Sequence, residues 1–137
     1  MVNITQQQYI SNWHDSFVNY VNLILGTIAN AELSPMMTEK DKLGLGLIKV
    51  LFEGNDVRDV ERDLANGVVR QSTLDKIEKL DKDFSDICVD HIEASPFMKQ
   101  VLKQLCHLKV ENDKAAEVLR LNALGVVVVG EIPLFFN

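Results

Sequence analysis

The feature that most constrains the fold is an apolar run, Leu43 to Phe52, which carries seven large apolar side chains in ten residues. At about 100° per residue, a helix through this run is apolar around more than half of its circumference. Other elements must surround such a helix, so we expect it at the centre of the fold, with Leu47 buried. A buried strand is the alternative, but Pro35 and Thr38 before the run and Gly54-Asn55 after it favour a helix.

Apolar residues at three- and four-residue steps predict further helices along the whole chain. With the central one, the expected helices span about residues 6–31, 36–53, 57–65, 72–94, 95–109 and 114–124. The predicted fold is therefore all-α: a single compact domain over residues 1–137, a bundle of about five or six helices around Leu43–Phe52. The tail from Val126 to Phe136 has strand propensity. A lone strand pair would be marginal, so we expect it to be helical or extended, with the helix continuing to Val129 before an extended arm.

The charge balance limits the class of partner. Twenty acidic and fourteen basic residues give a net charge of −6, which disfavours nucleic acid and favours a basic protein surface. The first fifteen residues lack the basic and apolar regions of a secretion signal, so we expect a cytoplasmic protein. No stretch is long and apolar enough to predict a membrane span. Cys88 and Cys106 lie in helical patterns, where reduced and buried thiols without a disulfide are expected.

The outer face of the predicted 72–94 helix carries an acidic cluster at its C-terminal end, where the helix dipole disfavours negative charge. Residues that lower stability locally are candidates for function, although a solvated charged face is the alternative. The short 57–65 helix and the residue before it provide a second acidic patch. The predicted partner-binding residues are Asp83, Asp86, Asp90 and Glu93 in the first cluster and Asp56, Asp59, Glu61 and Asp63 in the second.

One side of the first helix is unusually poor in charge. Interface cores are depleted of charged residues, so this side is either a contact surface or simply a polar exposed one. The possible homodimer face consists of Asn12, Ser16, Asn19, Leu23 and Gly26.

Signals for catalysis are weak. His91 and Glu93 match the H-x-E half of a zinc deaminase signature, but the P-C-x-x-C half is absent. Cys88 lies one turn before His91, and Cys106 or His107 would have to complete a site from the next helix. A core histidine is the better interpretation of His91. We therefore expect no metal, no cofactor and no enzymatic activity.

These observations favour a small acidic cytoplasmic protein-binding domain. The most specific hypothesis is an inhibitor or immunity-type protein that neutralises a basic partner, such as a toxin domain, because electrostatic complementarity speeds capture. The alternative is a self-associating structural or regulatory subunit that dimerises through the first helix. A metal-dependent enzyme is the third hypothesis, and neither nucleic acid nor a membrane is expected as a partner.

Overall fold

A computed structural model describes residues 4–90, 94–123, 126–129 and 132–135 of the chain. Helix dominates these residues, which confirms the all-α class. The elements are α1 (Ile4–Glu32), α2 (Glu39–Phe52), α3 (Asn55–Ala65), α4 (Gln71–Asp90), α5 (Pro96–Ala123), β1 (Val126–Val129) and β2 (Ile132–Phe135).

The centre of the bundle is α1. Its apolar positions recur at helical spacing on one face, and α2, α3 and α5 all pack against it. The α1 side chains buried in the core are Ile10, Trp13, Phe17, Tyr20, Val21, Ile24, Ile28 and Ala31. Phe52 of α2 extends the aromatic part of this core, since its ring makes edge-on contacts with Tyr20 and with Phe84 of α4.

The predicted central position of α2 is wrong. Leu45, Ile48 and Phe52 face the core, but Leu43, Leu47 and Val50 on the opposite side are 73%, 56% and 71% exposed. The helix lies at the edge of the bundle and is covered along one face only, by α1 and α4. A helix that is apolar on two sides offers two candidate core faces, and tertiary packing buries one of them.

The start of α2 follows the predicted signal. Thr38 Oγ1 accepts a hydrogen bond from Asp41 N at 3.1 Å, and Thr38 N donates to an Asp41 carboxylate oxygen at 3.3 Å. This reciprocal pair is a capping box, which satisfies backbone groups that the helix itself leaves unpaired.

Two expectations for the C-terminal part are wrong. The predicted break between residues 109 and 114 is absent, because α5 runs without interruption from Pro96 to Ala123. The sequence suggested Asn112 or Asp113 as the cap of a new helix, but Asp113 accepts a hydrogen bond from Lys109 Nζ at 2.9 Å, one turn earlier. Beyond α5 the chain does not continue as helix to Val129, since β1 and β2 form an antiparallel hairpin in which Val126 pairs with Phe135.

The two cysteines face each other across α4 and α5, with the Cys88 and Cys106 sulfur atoms 3.9 Å apart and both thiols free. Cys88 is half-buried, whereas Cys106 is exposed, so the expectation of a buried thiol is wrong for Cys106. Within the described ranges, no helix combines the length and the apolar character that crossing a membrane requires.

Candidate functional site

The surface with the clearest functional character lies where α2 runs alongside the second half of α4. At one end, Ser95 Oγ donates a hydrogen bond to Asp41 Oδ2 at 2.7 Å. At the other end, the Phe52 and Phe84 rings meet edge to face with centroids 5.3 Å apart. These contacts pair the start of α2 with the chain just after α4, and the end of α2 with the middle of α4. The two segments are therefore antiparallel neighbours.

The outward side of α2 forms an apolar ridge, which we define as Leu43, Leu47 and Val50. The i, i+4 and i+7 spacing places these three side chains on one face of the helix, and all three are exposed. Gly46 lies on the same face, where an added Cβ would meet open space. Contiguous exposed apolar side chains on a soluble domain mark an interaction surface more often than isolated ones do.

A groove of about 360 Å³ runs from this ridge towards α4. Val50 and Leu51 form its α2 side, and the start of α3 closes one end. Its α4 side consists of Lys76, Lys79, Leu80 and Asp83. Leu51 is half-buried and packs against the core, so the apolar surface continues from the exposed ridge into the groove. A groove of this shape can accept apolar side chains of a partner helix.

Beside the groove lies an acidic flank, which we define as Asp83, Asp86 and Asp90. Asp83 lines the groove, and Asp86 and Asp90 are exposed on α4. Lys79 and Lys82 lie one turn before Asp83 and Asp86 on the same helix, whereas Asp90 has Asp86 one turn before it and no lysine or arginine between residues 83 and 90. Glu93, predicted to extend this cluster, lies outside the described residues. On the other side of the ridge, α2 carries the exposed Lys42 and Lys49.

The second predicted acidic patch serves mainly to attach α3 to α4. Asp59 accepts hydrogen bonds from Lys76 Nζ at 3.1 Å and from Arg62 at 3.0 Å, and the bond from Lys76 is the main reason that the pKa of Asp59 is lowered. Asp56 lies 3.7 Å from Lys79. Asp63 is buried and accepts a hydrogen bond from Thr73 Oγ1 at 2.9 Å.

These internal partners change what the α3 acids can offer to another protein. Asp63 is enclosed, and the charges of Asp56 and Asp59 are balanced by lysines of α4. Glu61 is half-exposed, and no ion pair joins it to another of the described residues. The sequence did not indicate this arrangement because Asp59 and Lys76 are 17 positions apart. Binding of a partner by the α3 patch stays a prediction.

The charge-poor face of α1 is present as one surface. Asn12, Asn19, Leu23 and Gly26 are exposed, and Ser16 is half-buried. A Cβ added at Gly26 would have no neighbour within 4 Å, so another helix could approach closely there. Dimerisation through this face stays a prediction.

Among the described residues, no three histidine, cysteine or acidic side chains converge as metal ligands. Cys88 and Cys106 adjoin each other, and His107 is exposed. Burial raises the pKa of the Cys88 thiol to about 12, and Cys106 contributes further, so Cys88 is a poor source of thiolate at neutral pH. His91 lies outside the described residues, and its place in the core stays a prediction.

Comparison with protein-family models, curated proteins and solved structures gives no match to this chain. We therefore infer function from its surface chemistry. The apolar ridge was missed at the level of sequence because both sides of α2 are apolar. A usable signal was present, since Leu45, Ile48 and Phe52 form one stripe and Leu43, Leu47 and Val50 form a second on the opposite side.

Proposed function

We propose that this chain is a small acidic protein-binding domain that captures a basic partner through the apolar ridge and the acidic flank. In its most specific form, it is a cytoplasmic inhibitor or immunity-type protein that neutralises a basic protein such as a toxin domain. The observation that carries the proposal is the exposure of Leu43, Leu47 and Val50 on one face of α2, together with a groove that Val50 and Asp83 both line.

Hydrophobic burial supplies the affinity in this proposal. Full burial of a leucine or valine side chain is worth about 1.5–3 kcal/mol, so even partial burial of the three ridge side chains is a substantial driving force. Gly46 lies within the ridge and leaves room for the partner's backbone to approach. The expected binding mode is an amphipathic helix of the partner that lies along the groove.

Charge sets the orientation of the partner and raises the association rate. The acidic flank borders the groove towards the C-terminal end of α4. Lys76 and Lys79 line the other end of the groove, where they pair with acids of α3, and Lys42 and Lys49 lie on the far side of α2. A partner helix with lysine or arginine along one edge should therefore bind with that edge beside the acidic flank. The chain's net charge of −6 adds long-range attraction for a basic protein, which raises the association rate at low salt.

A model peptide tests this surface. The probe is a synthetic amphipathic helix of about 18 residues, with leucine on one face and lysine on the other, titrated calorimetrically against the chain. The Leu43→Ser/Leu47→Ser variant should bind it at least about tenfold more weakly, a loss of about 1.4 kcal/mol or more. Asp83→Asn/Asp90→Asn should weaken binding as well, and by less at high salt because exposed charges are screened.

Matched controls distinguish binding at the groove from non-specific binding to apolar or acidic surface. Leu33→Ser removes a leucine that is more exposed than those of the ridge and lies outside α2, and Glu78→Gln removes an exposed charge on another side of α4. Both variants should bind like the unchanged chain. A peptide with glutamate in place of lysine should not bind. Equal losses in the controls and in the ridge variants, or equal binding of the acidic peptide, would contradict the proposal.

A further inference from the structure

A second cavity is lined by α1, α4 and α5 and has a volume of about 250 Å³. Trp13, Phe17 and Tyr20 form its α1 wall, since their i, i+4 and i+7 spacing places them on one helix face. The opposite walls carry charge, with Asp81 from α4 and Asp113 and Arg120 from α5. The cavity thus combines an aromatic wall with carboxylates.

Tyr20 supplies an unpaired polar atom at this cavity. The residue is only 3% exposed, yet its hydroxyl has no hydrogen-bond partner in the part of the chain that the structure describes. Burial is the main cause that raises the pKa of Tyr20, and the charges of Asp81 and Asp113, which line the same cavity, raise it further. A buried hydroxyl without a hydrogen-bond partner lowers stability, and a ligand that supplies a donor would remove that penalty.

Asp81 is the second group without a partner. No hydrogen bond or ion pair joins it to another described residue, whereas Asp113 is bound by Lys109 Nζ at 2.9 Å. Burial raises the pKa of Asp81 to about 6, while Lys109 and Arg120 act in the opposite direction and Asp113 adds to the rise. At neutral pH the cavity therefore contains a largely ionised carboxylate that forms no ion pair with a described residue, and Arg120 is the one basic residue in the lining of the cavity.

We propose that this cavity binds a small organic cation of the alkylammonium class. The ammonium group forms an ion pair with Asp81 and donates a hydrogen bond to the Tyr20 hydroxyl oxygen, and the alkyl chain lies against Trp13 and Phe17. Aromatic faces attract cations and also accept apolar chains. The volume is slightly below that of common ligand pockets, about 300–1,000 Å³, which limits the ligand to a few heavy atoms. An anion would face Asp81, Asp113 and Glu117 together.

Fluorescence offers a direct readout because Trp13 is the chain's one tryptophan and lines the cavity. The probe is n-butylammonium chloride titrated at pH 7.5, with n-butanol and sodium butyrate as uncharged and anionic controls. We expect a saturable change in Trp13 emission with butylammonium only. The apparent affinity should fall at least about tenfold in Asp81→Asn and by a smaller factor in Tyr20→Phe. The second variant breaks no hydrogen bond of the fold, because the Tyr20 hydroxyl has no partner among the described residues.

Two comparisons make the test decisive. Asp75→Asn alters an exposed carboxylate of the same helix that belongs neither to the cavity nor to the acidic flank, and should bind butylammonium like the unchanged chain. Leu43→Ser/Leu47→Ser should also keep this binding, so failure at the cavity and failure at the α2–α4 groove are distinguishable. The proposal is overturned if emission does not saturate, if butanol acts like butylammonium, or if Asp81→Asn binds as well as the unchanged chain. Those results would leave the cavity as a site for ordered water only.

Discussion

Neighbouring residues of α2 have opposite environments, and this contrast gives a test at the level of single side chains. Leu47 is more than half exposed, whereas Ile48 is fully buried. Leu47→Ala should lower the free energy of unfolding by less than about 1 kcal/mol, because little burial is lost at a surface site. Ile48→Ala should lower it by about 2–5 kcal/mol through loss of packing. Urea denaturation measures both; a loss above about 2 kcal/mol in Leu47→Ala would return Leu47 to the core.

The raised pKa of Asp81 predicts how the stability of the fold changes with pH. Burial raises its pKa to about 6 in the folded chain, with Asp113 adding to the rise and Lys109 and Arg120 opposing it. Tyr20 of α1 lines the same cavity. The folded state therefore holds this proton more tightly than the unfolded state. The contribution to stability is present below pH 4 and is lost as the pH rises through about 6.

The variant Asp81→Asn isolates this contribution. In buffer without organic ammonium, it should be more stable than the unchanged chain above pH 7 by about 1 kcal/mol, a figure reduced for partial solvent exposure. The gap should close as the pH falls to about 4. Denaturation of both proteins across this pH range measures the gap. A gap that is constant with pH would show that Asp81 titrates as in the unfolded chain.

At the scale of elements, one hydroxyl group, that of Ser95, connects the N-terminal ends of α2 and α5. Ser95 Oγ accepts a hydrogen bond from Met98 N at 3.1 Å and donates one to Asp41 at 2.7 Å. Ser95→Ala removes both bonds and should cost about 1–3 kcal/mol. Ser34→Ala, which removes an exposed turn bond to Met36 N, should cost less than half as much. Equal effects of the two variants on chemical denaturation would contradict a structural link through Ser95.

The same elements explain how much of the fold was predictable. Helix starts marked by short polar residues, such as Thr38 and Ser95, were predicted because capping is local chemistry. The buried side of α2 was not predictable, because it depends on which apolar stripe meets α1 and α4. The continuity of α5 was missed because Asp113 looks like a cap in the sequence but pairs with Lys109 inside the helix.

The candidate site was also predictable only in part from the sequence. The acidic flank on α4 was indicated by its order along one helix, which a sequence displays directly. The sequence did not indicate that Asp63 is buried inside the bundle, because its hydrogen-bond partner Thr73 lies on another helix. The apolar ridge was counted as core, since large apolar side chains are usually buried and the sequence does not distinguish an exposed one.

At the scale of the whole molecule, the two candidate interaction surfaces predict different assembly states. If the α2–α4 groove is reserved for another protein, light scattering should report a monomer over the micromolar range, and Asn19→Lys should change nothing. A dimer that Asn19→Lys dissociates would favour self-association through the charge-poor face of α1. A dimer lost in Leu43→Ser/Leu47→Ser but kept in Asn19→Lys would mean that the ridge binds a second copy.

The central claim is that the groove between α2 and α4 is the binding surface for a basic partner. The most direct test is a residue-resolved map, by amide and methyl chemical shifts, of the contacts made by the leucine–lysine peptide. The largest changes should fall on Leu43, Leu47, Val50, Asp83 and Asp90, with little change at Asn12, Asn19 and Leu23. If the largest changes fall instead on the α1 face, or are spread evenly over the surface, the groove is not the binding surface and the claim is wrong.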